Sequence, residues 1–219
     1  MSEPQLDDPE RALVLAYVPA EVRPALTTLW RLDERLGRVL RTTSEPRIGQ
    51  IRLAWWREAL NRLDVAPPPA EPLLAEVAAT VLVRGIAGSA LADLADGWVP
   101  LLASPVDDEA LALHAVERGG RLFALAQTLL GIDDDPAVDR AGEGWALVDL
   151  ARRSDDPALA SRALAMARQR LAGKRRWRPA ERPLGMLAVL AARDAQRGVS
   201  RQGSPGRLAR MLWMRLRGR

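Results

Sequence analysis

The side chains of this sequence that are equipped for chemistry are acids and arginines. With no Cys there is no thiolate nucleophile, disulfide or zinc–thiolate site. The single histidine, His114, sits between Leu113 and Ala115 in a helical run, and one His cannot build a metal cluster, so it reads as structural. The acids of interest are Asp33 and Glu34 in LWRLDERLGRVLRTT, residues 29–43, and Glu143 and Asp149 in AGEGWALVDLARRS, residues 141–154. Carboxylates four residues apart on a helix share a face and, opposite a second such pair, can hold Mg²⁺. Within these two segments that spacing fails: the residues four beyond Asp33 and Glu34 are Gly37 and Arg38, and Arg153 stands four beyond Asp149. A DxxxD spacing at Asp135 and Asp139 spans Pro136, where helix capping accounts for it. Basic residues cluster instead. Residues 168–182 hold seven Lys or Arg against Glu181, and residues 200–219 hold six Arg and no acid. Such clusters fit an anionic partner, phosphate or lipid headgroup. The net charge of +4 is too modest for a dedicated nucleic-acid binder, so no nucleic acid is expected.

These side chains need helices to position them. The 219 residues are 48% hydrophobic and 27% charged, rich in Ala, Leu and Arg, with seven Trp but one Tyr and one Phe. That composition disfavours strands and predicts an all-α, single-domain bundle. The stretch Arg52-Leu53-Ala54-Trp55-Trp56-Arg57-Glu58-Ala59-Leu60 reads as a helix with Leu53, Trp56 and Leu60 on one face. Its two tryptophans point about 100° apart, and Arg52 and Arg57 fall on the flanks, within reach of a cleft. Before it, Asp8 caps a short helix over Pro9–Val18, and a helix from Ala20 to Arg41 carries the stripe Val22, Leu26, Leu29, Leu36 and Val39. After it come helices over Glu71–Val83, over Leu91 to Leu101, and from an Asp107 cap to Leu130. Inside the last of these, Gly119-Gly120 marks a kink or a close approach. Further helices cover Pro136–Arg153, Pro157–Ala172, Pro183–Arg197 and Leu208–Leu216.

The tryptophan stretch, extended to SEPRIGQIRLAWWREAL at residues 44–60, resembles the signature of the squalene/phytoene synthase family. ADGWVPLL at residues 95–102 and ERGGRLFALAQTLLG at residues 117–131 follow in family order, so the resemblance spans residues 10–195. It is greatest to a divergent branch that includes a respiratory complex I assembly factor. The resemblance implies a bundle of the trans-isoprenyl diphosphate synthase type over residues 1–199, followed by a basic tail at 200–219. It also implies two aspartate-rich Mg²⁺ motifs, one before the tryptophan helix and one at AGEGWALVDLARRS. There the glycine, the length and Arg152 agree with the pattern, while Arg153 replaces the terminal acid and Asp149 replaces an Asn. The implied candidates for a cleft or diphosphate site are Arg31, Asp33, Glu34, Arg52, Trp56, Arg57, Glu143, Asp149, Arg152 and Arg153, with no catalytic or metal residue assigned.

Two readings follow. One is a non-catalytic assembly or lipid-handling factor without cofactor, whose partners are a prenyl or lipid ligand or a protein client. The other is a head-to-head prenyl transferase that binds Mg²⁺ through atypical ligands. The leader Ser2-Glu3-Pro4 with Asp7, Asp8 and Glu10 fits neither a signal nor a transit peptide, giving an expectation of a cytoplasmic protein, peripheral to the inner membrane. The tail places Trp213 and several Leu and Met among arginines, which suits an anionic membrane surface. Gly203-Ser204-Pro205-Gly206 would be the hinge that lets it detach; packing on the bundle is the alternative.

Overall fold

The computed structural model describes residues 6–173 and 175–218. The leader residues Ser2 to Pro4, and Lys174 and Arg219 of the basic clusters, lie outside the described residues. Every regular element among the described residues is helical, as the composition predicts, and no helix is long and apolar enough to cross a membrane.

Helix α1 (Pro9–Leu15) starts at Asp8, whose carboxylate accepts the N–H of Glu10 at 2.8 Å. It stops three residues before the expected Val18. Helix α2 (Arg23–Arg41) buries Leu26, Leu29, Trp30, Leu32 and Leu36, with Pro24 in its first turn where a missing N–H costs nothing. Helix α3 (Pro46–Arg62) is the tryptophan helix. It buries Leu53, Trp56 and Leu60, packs against α5, and leaves Trp55 half exposed. Helix α4 (Pro72–Thr80) lies against α2, and a 3₁₀ turn over Leu82–Arg84 ends at Gly85 with φ 83°.

The helix expected through Leu101 is broken. Helix α5 (Gly88–Asp96) ends at Gly97, and Val99–Leu102 forms a 3₁₀ turn. A Cβ at Gly97 would lie 2.5 Å from the backbone nitrogen of Arg118, so the chain turns where another backbone crosses it. Helix α6 (Asp108–His114), capped by Asp107, runs through a π-helical turn at Ala115–Gly120 into α7 (Arg121–Leu129). Helix α8 (Pro136–Arg153) lies at the centre of the bundle, against the π turn, α7, α9 (Pro157–Arg170) and α10 (Arg182–Arg197).

The C-terminal segment is packed, not detached. Helix α11 (Pro205–Arg217) lies on α10, with Met211 and Met214 in the core. Arg207 is buried and donates to Glu10 of α1 at 2.5 and 2.9 Å and to Asp194 of α10 at 2.6 and 2.7 Å. The supposed hinge is tied as well, since the Gly203 N–H reaches Glu10 at 3.2 Å.

Candidate functional site

Asp33 occupies the gap between Leu29 and Leu36 in the apolar stripe of α2, and the helix therefore aims its carboxylate into the bundle, where it is fully buried. Arg118 of the π turn and Asp149 of α8 come to the same place. Two glycines make that possible. A Cβ on Gly119 would lie 2.3 Å from the carbonyl oxygen of Gly142, and one on Gly142 would meet the Gly119 carbonyl at the same distance. With hydrogens in place of side chains, the π turn and α8 meet backbone to backbone. A π turn re-aims side chains relative to a regular helix and is frequent at functional sites.

The result is a chain of alternating charges. Arg118 grips Asp33 with two nitrogens, at 2.8 and 3.0 Å, and its Nη2 also reaches Asp149 at 2.7 Å. Arg11 of α1 donates to Asp33 at 2.6 Å, and Arg153 to Asp149 at 2.9 Å. The Arg118 guanidinium lies 4.1 Å from the Trp98 ring and 5.1 Å from Trp145, while Arg11 lies 4.6 Å from Trp145. Indole faces are favourable neighbours for a desolvated cation. Glu34 stands beside the chain, 3.8 Å from Arg11 and bonded to the Asp7 N–H at 3.1 Å.

Burial alone would raise the pKa of Asp33, but the charges of Arg118 and Arg11 outweigh it and bring it down to about 2. Asp149 is likewise held well below the usual range, with Arg118 and Arg153 overcoming its burial. Burial works against the charged form of Arg118, and the two aspartates reverse that and raise its pKa. Next to it, His114 donates from Nδ1 to the Gly97 carbonyl at 2.6 Å. Burial and the Arg118 charge push its pKa down to about 3, so it stays neutral as a structural group.

This arrangement does not fit Mg²⁺. Both oxygens of Asp33 and both of Asp149 accept from guanidinium nitrogens, which sit where a cation would have to bind. Among the described residues no group of three or more His, Asp or Glu is placed to hold a metal ion. The void beside Asp149, which also touches Trp145, Arg152, Asp194 and Arg207, measures about 20 Å³. That is room for about one water.

The other sequence candidates scatter. Arg31 pairs with Glu76 on a groove between α1, α2 and α4. Arg52 donates to the hydroxyls of Thr42 and Thr43 at 3.1 and 2.7 Å on the exposed side of α3. Arg57 pairs with Asp96 at 3.3 Å, also in solvent, and buried Trp56 carries Arg35 on its ring at 5.6 Å. The expectation that α3 lends cations to the central cleft is therefore corrected: Arg52 and Arg57 flank the buried face of Leu53 and Leu60 and are engaged at the surface, by Thr42, Thr43 and Asp96. Glu143 pairs with Arg170 at 3.1 Å, and Arg152 donates to Asp194 and to the Ser200 carbonyl at 2.5 Å each. Of the ten, Asp33, Glu34, Asp149 and Arg153 gather in or beside the chain of charges, and Arg152 lines the void next to Asp149.

Arg11 and Arg118, the cations that complete it, were not singled out by the sequence. A signal exists for Arg118, because it falls in the apolar register of Leu111, Ala115 and Leu122, all fully buried. A carboxylate pair four residues apart was also overlooked. The pair is Asp139 and Glu143 of α8, of which Asp139 falls just before the quoted segment at 141–154, roughly 15 Å along the axis from Asp149. Asp139 accepts from Gln127 at 2.8 Å; its burial, with Asp134 and Glu143 nearby, raises its pKa to about 6.

A family model described as squalene/phytoene synthase matches residues 6–156, a span that holds Arg11, Asp33, Arg118, Asp149 and Arg153. No curated protein and no solved structure matches the chain.

Proposed function

From the premise that the chain belongs to the squalene/phytoene synthase family, we propose that it is a non-catalytic member, an assembly or lipid-handling factor. The observation that carries this reading is the placement of Arg118, buried between Asp33 and Asp149 and bonded to both. Head-to-head prenyl transfer expels diphosphate, and a divalent ion held by carboxylates is the usual means of neutralising it. Here the two carboxylates on the relevant helices already neutralise arginines. Removing Arg118 to admit a metal would break a desolvated, bidentate contact, a loss of roughly 3–5 kcal/mol.

A second reading, prenyl transfer with atypical ligands, draws on the convergence of Asp33 and Asp149 at one point of the bundle. It requires Arg118 to swing away when substrate enters. The two readings separate in one experiment: purified protein is incubated with farnesyl or geranylgeranyl diphosphate and millimolar Mg²⁺. The expected outcome is no squalene, no phytoene and no Mg²⁺-dependent shift in melting temperature. Product formation abolished by Asp33→Ala would establish the second reading and overturn the first.

A further inference from the structure

Helix α11 is apolar on two opposite sides, and the core uses only one. Met211 and Met214 face α10, yet Leu212 is 42%, Trp213 56% and Leu216 73% exposed. With Ala209, also exposed, these residues form one continuous stripe along the outer face of the docked helix. Arginines border the stripe on both edges. Arg210 and Arg217 lie exposed on one, Arg215 is half-buried on the other, and the Arg217 guanidinium stacks 4.9 Å from the Trp213 ring. At the C-terminal end of α11 the stripe opens into a depression of about 390 Å³ lined by Arg176, Arg182, Leu216 and Arg217, with no acid in its lining. Arg182 donates to the carbonyls of Arg215 at 2.9 Å and Leu216 at 3.3 Å, and so fixes the floor of that depression.

We propose that the outer face of docked α11, with the arginine-lined depression at its end, seats the protein on a bilayer that carries anionic headgroups. Three features select this occupant. The stripe is narrow and lies on a rigidly held helix, which suits shallow immersion in the plane of an interface. A Trp beside an Arg at the rim matches the headgroup level, where amphipathic rings settle. Every charge on α11 is positive, complementing an anionic leaflet, and each basic residue near such a surface contributes to attraction that salt screens. The helix stays on α10 throughout, because Arg207, Met211 and Met214 hold it there. Truncating it would expose core and would not be a clean test.

The test is co-sedimentation of full-length protein with vesicles of phosphatidylcholine alone and of phosphatidylcholine mixed with phosphatidylglycerol. Binding to the mixed vesicles and not to the neutral ones is expected, with loss at high salt. Trp213→Ser with Leu216→Ser, both outward and so compatible with folding, should weaken it by about tenfold or more. Arg210→Glu with Arg217→Glu should do the same through charge. Trp55→Ser, which removes an exposed Trp from α3, should leave binding unchanged. Equal binding of the Trp213/Leu216 variant and the parent, or binding indifferent to headgroup charge, overturns the proposal. So does absence of binding, or a dimer of the parent that the variant converts to monomer.

Discussion

Replacing Arg118 by leucine removes one side chain and leaves two carboxylates short of a partner in the core. Asp33 would keep Arg11 and Asp149 would keep Arg153, so neither is abandoned, but the bidentate grip and the two indole contacts go. A loss of roughly 3–5 kcal/mol is expected for Arg118→Leu in urea unfolding. Adding Asp33→Leu should cost less than the sum of the two single changes, because the residues share one contact. Arg118→Lys should rescue little, since an ammonium cannot span two carboxylates in a fork. Part of this site was legible before any coordinates. Asp33 sits where the stripe Leu26, Leu29, Leu36 needs another apolar residue, and an acid in such a gap must be buried with a partner. The partner was not legible: which arginine answers it depends on helices distant in sequence, and Arg118 lies 85 residues away.

The π turn and α8 are set at their distance by Gly119 and Gly142. Gly119→Ala would bring a methyl to 2.3 Å from a carbonyl oxygen that belongs to rigid helical backbone. The helices would have to separate, at a cost of about 1–3 kcal/mol, and Arg118 would move relative to Asp149. Gly131→Ala offers a contrast, because its φ of 64° penalises alanine although open space surrounds it. Gly119→Ala should therefore disturb near-ultraviolet tryptophan signals from Trp98 and Trp145, and Gly131→Ala should not. The paired glycines Gly119-Gly120 were read from sequence as a kink or a close approach, and the structure shows the close approach, in a π-helical turn. The docked face of α11 was not readable, because apolar residues surround much of that helix: periodicity places Met211 and Leu212 side by side and cannot say which one meets α10.

At the scale of the molecule, the buried charges set the response to acid. The unfolded chain protonates His114 around its ordinary value of 6.5 and the fold only at about 3, so stability drains away as pH falls between those limits. The slope from this residue alone is about 1.4 kcal/mol per pH unit. Asp139 has the opposite sign. The fold takes up its proton near 6 and the unfolded chain at 3.8, so falling pH favours the fold across that window. Below 3.8 the depressed carboxylates Asp33 and Asp149 add losses of the same sign as His114. Stability should thus change little from pH 6 to 4, where the two slopes offset, and fall steeply below, and in Asp139→Asn the His114 slope should appear from about pH 6; urea titrations at stepped pH would read both. Fold class was plain from composition at this scale. The closure of the molecule was not, for it depends on α1, where Glu10 turns to Arg207 and its neighbour Arg11 turns to Asp33. A helix of seven residues is held by partners 22 and 197 positions away. During synthesis, then, α1 leaves the ribosome early with half of its anchorage unmade. The Glu10 half waits until residue 207 has been translated, whereas the central arginine network needs the chain only as far as Arg153.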